Sequence, residues 1–279
     1  MNVFNLLSKK NLQTINLINV TVFNNSKYLL SIPHSGLLIP NFVYQNIKIG
    51  SEILTGTDLY TNQIYLLPNN SRIISKINPN ILNLGRDKKI DKKLPKHLQT
   101  SPLTPYKDEE LTIIKRYDDD QKIRLLNLYD QYHNSIKEAL DLLLNKHGFA
   151  LMLDGHSLAS KGLSYSPDPY KKRASFILGT LDDTSAEPEI IKAFYSILKR
   201  DAEKYGWDVV KNNPYKGGYI TIHYHNLERK INVMQLEVNK SIYMNEKTFE
   251  PYPDKIKIIN KLIKHALDEA YKTAKKIYE

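Results

Sequence analysis

Residues 149–157, "FALMLDGHS", carry the reading of the fold. The first five are apolar and uninterrupted, the pattern of a short buried strand, and the run ends on Asp154, Gly155 and His156. Residues 29–36, "LLSIPHSG", have the same shape, with Pro33 stiffening the turn that presents His34. Strands are predicted at 27–32, 72–77 "RIISKI", 80–84 "NILNL", 149–153, 175–179 "SFILG", 207–210 "WDVV" and 232–238 "NVMQLEV". Helical spacing lies between them. In 118–146 it places Ile123, Leu126, Tyr129, Ile136, Leu140, Leu143 and Leu144 inward, with Gly148 as C-cap. Residues 187–205 form a second predicted helix with Pro188 in its first turn. Residues 253–277 form a third, with Ile256, Ile259, Ile263, Ala266 and Ala270 on one stripe. Strands alternating with helices predict a single α/β domain spanning 1–279, a mixed, largely parallel central sheet with helices on both faces. Ligand sites in such sheets lie beyond the carboxyl ends of the strands, where "PHSG" and "DGHS" fall.

Composition narrows the function classes. A chain of 279 residues, 41% hydrophobic and 25% charged, can bury one sizeable core, and its 11 Gly and 13 Pro mark no linker. There is no cysteine, so disulfides, thiolate metal sites and cysteine nucleophiles are excluded. The opening "MNVFNLLSKKNLQTINLINV" lacks the apolar core of a signal peptide, and no run approaches the about 18 apolar residues of a membrane span. A cytoplasmic protein with no membrane partner is expected. A net charge of +10 raises nucleic-acid binding, yet only seven of the 40 basic residues are arginine and the lysines are scattered. A solvated lysine-rich surface that steers anionic substrates accounts for this, and no nucleic-acid partner is expected. A basic nucleic-acid-binding protein stands as the rival from another class.

The chemistry-bearing residues cluster in a few segments. His34 and His156 sit at matching strand ends, where a rigid imidazole suits a metal, and Asp154 is placed to orient the second ring. Asp58, in "TGTDLYTNQIY" (55–65), reads equally as a helix N-cap or as a third ligand. Glu237 lies inside an apolar strand on the same face as Gln235, so it is either an exposed strand-end residue or a functional acid. "NNPYKGGYITIHYHN" (212–226) sets Gly217 and Gly218 among Tyr215, Lys216, Tyr219 and His223, a ligand loop or a plain hairpin turn. Arg86 in "NLGRD" (83–87) is a carboxylate clamp or a surface arginine.

In this order the segments "SIPHSGLLIP", "TDLYTNQIY", "LDGHSL", "LGTLDDTSA", "PYKGGYITIHY" and "VMQLEVNKSIYM" resemble the N-formylglutamate amidohydrolase family, over about residues 28–248. That family is distantly related to the zinc carboxypeptidases and aspartoacylases. The resemblance implies a zinc-carboxypeptidase-like (phosphorylase/hydrolase-like) fold and a zinc-dependent hydrolase cleaving the N-acyl amide of an acidic amino acid. Its expected reaction is N-formyl-L-glutamate plus water to L-glutamate plus formate, a step of histidine degradation. A related zinc hydrolase acting on another N-acyl amino acid or a short peptide is the nearest alternative. By motif, His34 and His156 become ligands of one Zn2+ per chain, Glu237 the catalytic carboxylate and Arg86 the substrate clamp. The carboxypeptidase-like glutamate ligand, three residues after the first histidine, is replaced here by Leu37, which leaves Asp58 as third ligand. The family's Asp-Leu-Asn-Arg becomes "NLGR", with Asn83 and Gly85. The partner implied is a small acidic N-acyl amino acid.

Overall fold

The computed structural model describes residues 16–47, 54, 56–89, 92, 99–103, 116–164 and 166–279. The 1–15 stretch on which the signal-peptide reading rests, and Thr55 of the Asp58 segment, lie outside the described residues.

Seven strands form one sheet: β1 (Ile18–Thr21), β2 (Leu29–Ile32), β3 (Ser71–Ser75), β4 (Ala150–Leu158), β5 (Phe176–Gly179), β6 (Val209–Lys211) and β7 (Ile231–Asn239). Their spatial order is β1-β3-β2-β4-β7-β5-β6. The centre, β3-β2-β4-β7, is parallel throughout. β1 joins β3 antiparallel, β5 joins β7 antiparallel, and β6 follows β5 parallel, so the sheet is mixed and largely parallel as predicted.

Among the described residues five α-helices cover it: α1 (Thr61–Ile64), α2 (Asp119–His147), α3 (Pro188–Glu203), α4 (Tyr219–Tyr224) and α5 (Pro253–Tyr278). Alternation along each strand divides the core in two. Leu30, Ile32, Leu151, Leu153, Met234 and Leu236 pack with α1, α3 and α5. Leu29, Ile73, Ala150, Met152, Ile231 and Val233 pack with α2 and α4. The stripe predicted for α5 is buried as expected, each such side chain contributing about 1.5–3 kcal/mol when it is a full-sized aliphatic. No helix among the described residues is long and apolar enough to cross a membrane.

Three expectations need correction, and one strand was not anticipated. Residues 80–84 form a buried turn instead of a strand. Pro79 follows Asn78, whose side chain accepts from the Asn80 N–H (2.9 Å) and whose carbonyl accepts from Ile81 (2.9 Å). β4 does not stop at 153 but continues through His156 to Leu158, because β7 pairs with it residue for residue over that length. In α2, Ile123 is 59% exposed. The buried row there runs through Leu125, Tyr129, Tyr132, His133, Ile136, Ala139, Leu140 and Leu143. Finally, β1 forms on a strand edge that no apolar run announced, its pairing with β3 compensating for a half-exposed sequence.

Candidate active site

On the face of the sheet covered by α2 and α4, the apolar rows turn polar at the carboxyl ends of the parallel strands. Along β4 the row reads Ala150, Met152, Asp154, His156, and along β7 it reads Ile231, Val233, Gln235, Glu237. Register sets Asp154 beside Gln235 and His156 beside Glu237. On the opposite face only Gly155 fits. A Cβ there would lie 2.7 Å from the Tyr65 ring, whose hydroxyl donates to the carbonyls of His156 (3.0 Å) and Leu236 (2.7 Å). Tyr65 thus ties the two strands together directly behind the site.

His34 follows β2 by two residues, and its carbonyl accepts from the Asp58 N–H at 2.9 Å. This bond brings the 56–60 turn onto the histidines. Asp58 Oδ2 lies 3.2 Å from His156 Nδ1 and 3.6 Å from His34 Nδ1, and the two rings are 4.8 Å apart. The N-cap of α1 is Tyr60, with no side-chain cap, so the Asp58 carboxylate faces the histidines and caps nothing.

The tautomers follow from the partners. Asn83 Oδ1 accepts from the Gly85 N–H (3.0 Å), which can only donate, so the atom facing His34 Nε2 at 2.8 Å is an oxygen. His34 therefore carries its proton on Nε2 and presents a lone pair on Nδ1. His156 Nε2 is held at 2.9 Å by Asp154, which also accepts from Ser31 (2.8 Å). Both Nδ1 atoms point to Asp58, and Ser157 steadies the other carboxylate oxygen at 3.1 Å. Around a tetrahedral zinc with bonds near 2.0–2.1 Å, neighbouring ligand atoms sit about 3.3 Å apart, and Asp58 Oδ2 lies 3.2 and 3.6 Å from the two Nδ1 atoms. These three groups, with ligand atoms within 4.8 Å of one another, fit a divalent ion with nitrogen and oxygen donors.

Electrostatics set the two rings apart. Burial and the neighbouring His156 charge lower His34, so it stays neutral. Burial opposes protonation of His156, but Asp154 and Asp58 outweigh it and hold the ring well above the ordinary histidine value. Asp58 is lowered despite burial by its bonds to both rings. Burial raises Glu237 to about 7, with His156 opposing. Glu237 is 8% exposed, and its Oε2 has no hydrogen-bond partner among the described residues.

These groups border a cavity of ≈ 160 Å³ that is also walled by Arg86, Tyr215, Gly217, Gly218 and Tyr219. Gly217 and Gly218 make no hairpin; Gly218 is the N-cap of α4. Two residues expected at the cavity are elsewhere. Lys216 is drawn out to Asp182 on the surface (2.7 Å), and exposed His223 stacks on the outer side of the Tyr219 ring.

Residues 26–244 match the family described as N-formylglutamate amidohydrolase. The chain belongs to this family. Among curated relatives of the N-formylglutamate amidohydrolase family, it is similar to the N-formylglutamate deformylase of Pseudomonas putida, 29% identical over 226 residues covering 78% of this chain and 82% of the relative. The N-formylglutamate deformylase of Pseudomonas aeruginosa is 27% identical over 229 residues with the same coverage. The crystal structure of the N-formylglutamate amidohydrolase from Ralstonia eutropha superposes with a TM-score of 0.75 at 20% identity, covering 91% of this chain and 98% of that one. A gene product of Agrobacterium tumefaciens gives 0.63 at 14%, covering 91% and 96%. These structures show that the amidohydrolase fold is shared.

Several site residues escape sequence reasoning. Asn83 lies in the family's arginine motif but signals no bond to a histidine. Arg173, 7% exposed, lines the cavity through a two-point pair with Asp168 (2.8 and 2.6 Å) and donates to the Tyr215 hydroxyl (3.1 Å). Lys240, also in the wall, donates to the Thr57 carbonyl at 2.8 Å. The signal that could have singled out Arg173 is the rarity of arginine in this chain.

Proposed function

We propose that this protein hydrolyses the formyl amide of N-formyl-L-glutamate to formate and L-glutamate, in the cytoplasm, at one zinc ion held by His34, Asp58 and His156. The observation that carries this reading is the convergence of two imidazole Nδ1 atoms and a carboxylate beside the unpartnered oxygen of Glu237, in a chain of this family. When bound, the ion would supply Lewis acidity, which would polarise a carbonyl and acidify water toward a pKa of about 7.

The chain's own groups do the rest. Asn83 and Asp154 keep the Nε2 protons, so that both Nδ1 lone pairs stay turned inward. Glu237 Oε2 takes the proton of the attacking water and passes it to the departing amine nitrogen. Its proton affinity near neutrality suits both transfers. Arg86 meets a substrate carboxylate through two parallel N–H bonds, and the wall from Tyr215 to Tyr219 aligns the formyl carbon on the site.

Metal content measured alongside formate release from N-formyl-L-glutamate tests the reading. His34→Ala and His156→Ala should each lose stoichiometric zinc, and Glu237→Gln should keep it while kcat falls about 10²–10⁴-fold. Arg86→Lys should lower kcat/KM about 10- to 100-fold on the acid and spare an amide analogue of the same substrate. A zinc-loaded wild type that releases no formate ends the proposal. Full zinc in both histidine variants moves the metal elsewhere.

A further inference from the structure

Glu237 is buried with one oxygen engaged and one idle, and the engaged one has a single donor. Gln235 Nε2 reaches Glu237 Oε1 at 3.0 Å, while Gln235 Oε1 accepts from the Gly218 N–H at 2.6 Å. The direction of this relay is not arbitrary. A backbone N–H can only donate, so the atom it meets on Gln235 is the carbonyl oxygen, and the other end of the amide must present N–H to Glu237. The backbone approach is close: a Cβ on Gly218 would sit 3.0 Å from that oxygen. Gln235 is itself 4% exposed and sits on the same face of β7 as Glu237, in register with Asp154 on one side and Gly179 on the other.

We propose that Gln235 is a positioning residue that divides the labour of the Glu237 carboxylate, pinning Oε1 so that Oε2 alone faces the cavity and carries the proton. This rests on the hydrolytic reading above. A carboxylate on a strand can rotate about its last torsion, which is broad and weakly restrained, and would then offer either oxygen in a range of orientations. One N–H bond to Oε1 removes that freedom. The donor is neutral and amide-derived, so it binds the carboxylate without carrying a proton that could be transferred. The same side chain anchors the N-terminus of α4, which carries the Gly217, Gly218 and Tyr219 wall. The substrate wall and the proton-transferring group therefore share one support; the spacing of Gln235 and Glu237 sets them on one face but does not reveal the bond to Gly218.

Gln235→Glu is the informative substitution. It keeps the length of the side chain and the acceptor for Gly218, but replaces the donor facing Glu237 with a second acceptor. The zinc-loaded, full-length enzyme should show kcat lowered about 10- to 100-fold with KM within about twofold of wild type, the scale of one lost hydrogen bond to a charged group. In a Glu237→Ala background the same substitution should change kcat by less than about twofold, because its only route to the reaction has gone. If Gln235→Glu does not fold, Gln235→Met removes both bonds, and the part of its kcat loss that disappears in the Glu237→Ala background measures the Glu237 route apart from the Gly218 route. Equal losses in both backgrounds, or a raised KM at wild-type kcat, would overturn the inference and leave Gln235 as a support for the loop. The two readings fail separately. A wild-type rate in Glu237→Gln removes the hydrolytic mechanism itself, whereas an impaired Glu237→Gln with an unaffected Gln235→Glu removes only this role.

Discussion

Asn83 does for His34 what Asp154 does for His156, and the two differ in charge. A carboxylate behind an imidazole favours the protonated ring, and His156 is accordingly raised. An amide oxygen offers orientation without that bias, and His34 remains neutral and lowered by burial. The pair therefore contains one ring that must shed a proton to bind a cation and one that is already prepared. Gly85 belongs to the same device: a Cβ there would stand 3.0 Å from the His34 ring. Asn83→Ala should weaken zinc affinity about 10- to 100-fold while leaving the fold intact, measured by competition with a chromophoric chelator. An unchanged dissociation constant would show that His34 needs no partner at Nε2. The histidines themselves were legible, because a histidine closing an apolar run is unusual. Asn83 was not, since its partner lies 49 residues away.

At the scale of elements, α2 braces the site from outside it. Tyr132 meets Ser31 (2.9 Å), which in turn bonds Asp154, and Tyr129 donates to the Arg86 carbonyl at 2.8 Å. These contacts come from the middle of the helix. Its first turn is secured separately, by a capping box in which Asp118 accepts from the Gln121 N–H (2.8 Å) and Gln121 accepts from the Asp118 N–H (3.1 Å). Asp118→Ala should cost about 1 kcal/mol of stability in urea unfolding, with kcat and KM unchanged. A fall in kcat would mean that the first turn, too, bears on the site. The helix, its Gly148 cap and the period of its inner face were readable, because caps and periods are local. The exposure of Ile123 was not, since spacing does not say which part of an apolar stripe the rest of the chain covers.

Across the whole molecule, His133 joins three segments. Its Nε2 bonds the Leu84 carbonyl (3.0 Å), its Nδ1 meets the Tyr224 hydroxyl (2.8 Å), and it packs among Tyr129, Tyr132 and Tyr219. It thereby ties α2 to the 83–87 turn and to α4. Burial lowers its pKa from 6.5 to about 4. Between those values the unfolded chain binds the proton and the native protein does not, so stability rises with pH there and is lost as pH falls below about 6.5. Going from pH 7.5 to pH 5, this group should remove about 2 kcal/mol. His133→Gln, which stays neutral, should lack that part of the acid loss. The comparison is the difference between the two proteins in urea unfolding at both pH values, since Asp58 and Asp201, also lowered, titrate in each. Parallel stability curves for the two proteins would mean that His133 is not the group responsible.

The α/β alternation, the three long helices and the family likeness were all readable along the chain, as were His34, Asp58, His156 and Glu237 as candidates. Each of those signals is local: a run of apolar residues, a period, a polar residue where an apolar one is expected. The tertiary structure decided everything that depends on two segments meeting. It turned the Asp58 carboxylate to the two histidines instead of the helix cap, because the His34 carbonyl holds the turn that carries it. It extended β4 through His156, because β7 pairs with it that far. It turned "NILNL" into a turn that delivers Asn83 to His34, and sent Lys216 outward to Asp182. The physical reason is that hydrogen bonds select atoms. Which nitrogen of a ring carries the proton, and which oxygen of a carboxylate stays idle, is set by partners that only the folded chain brings within 3 Å.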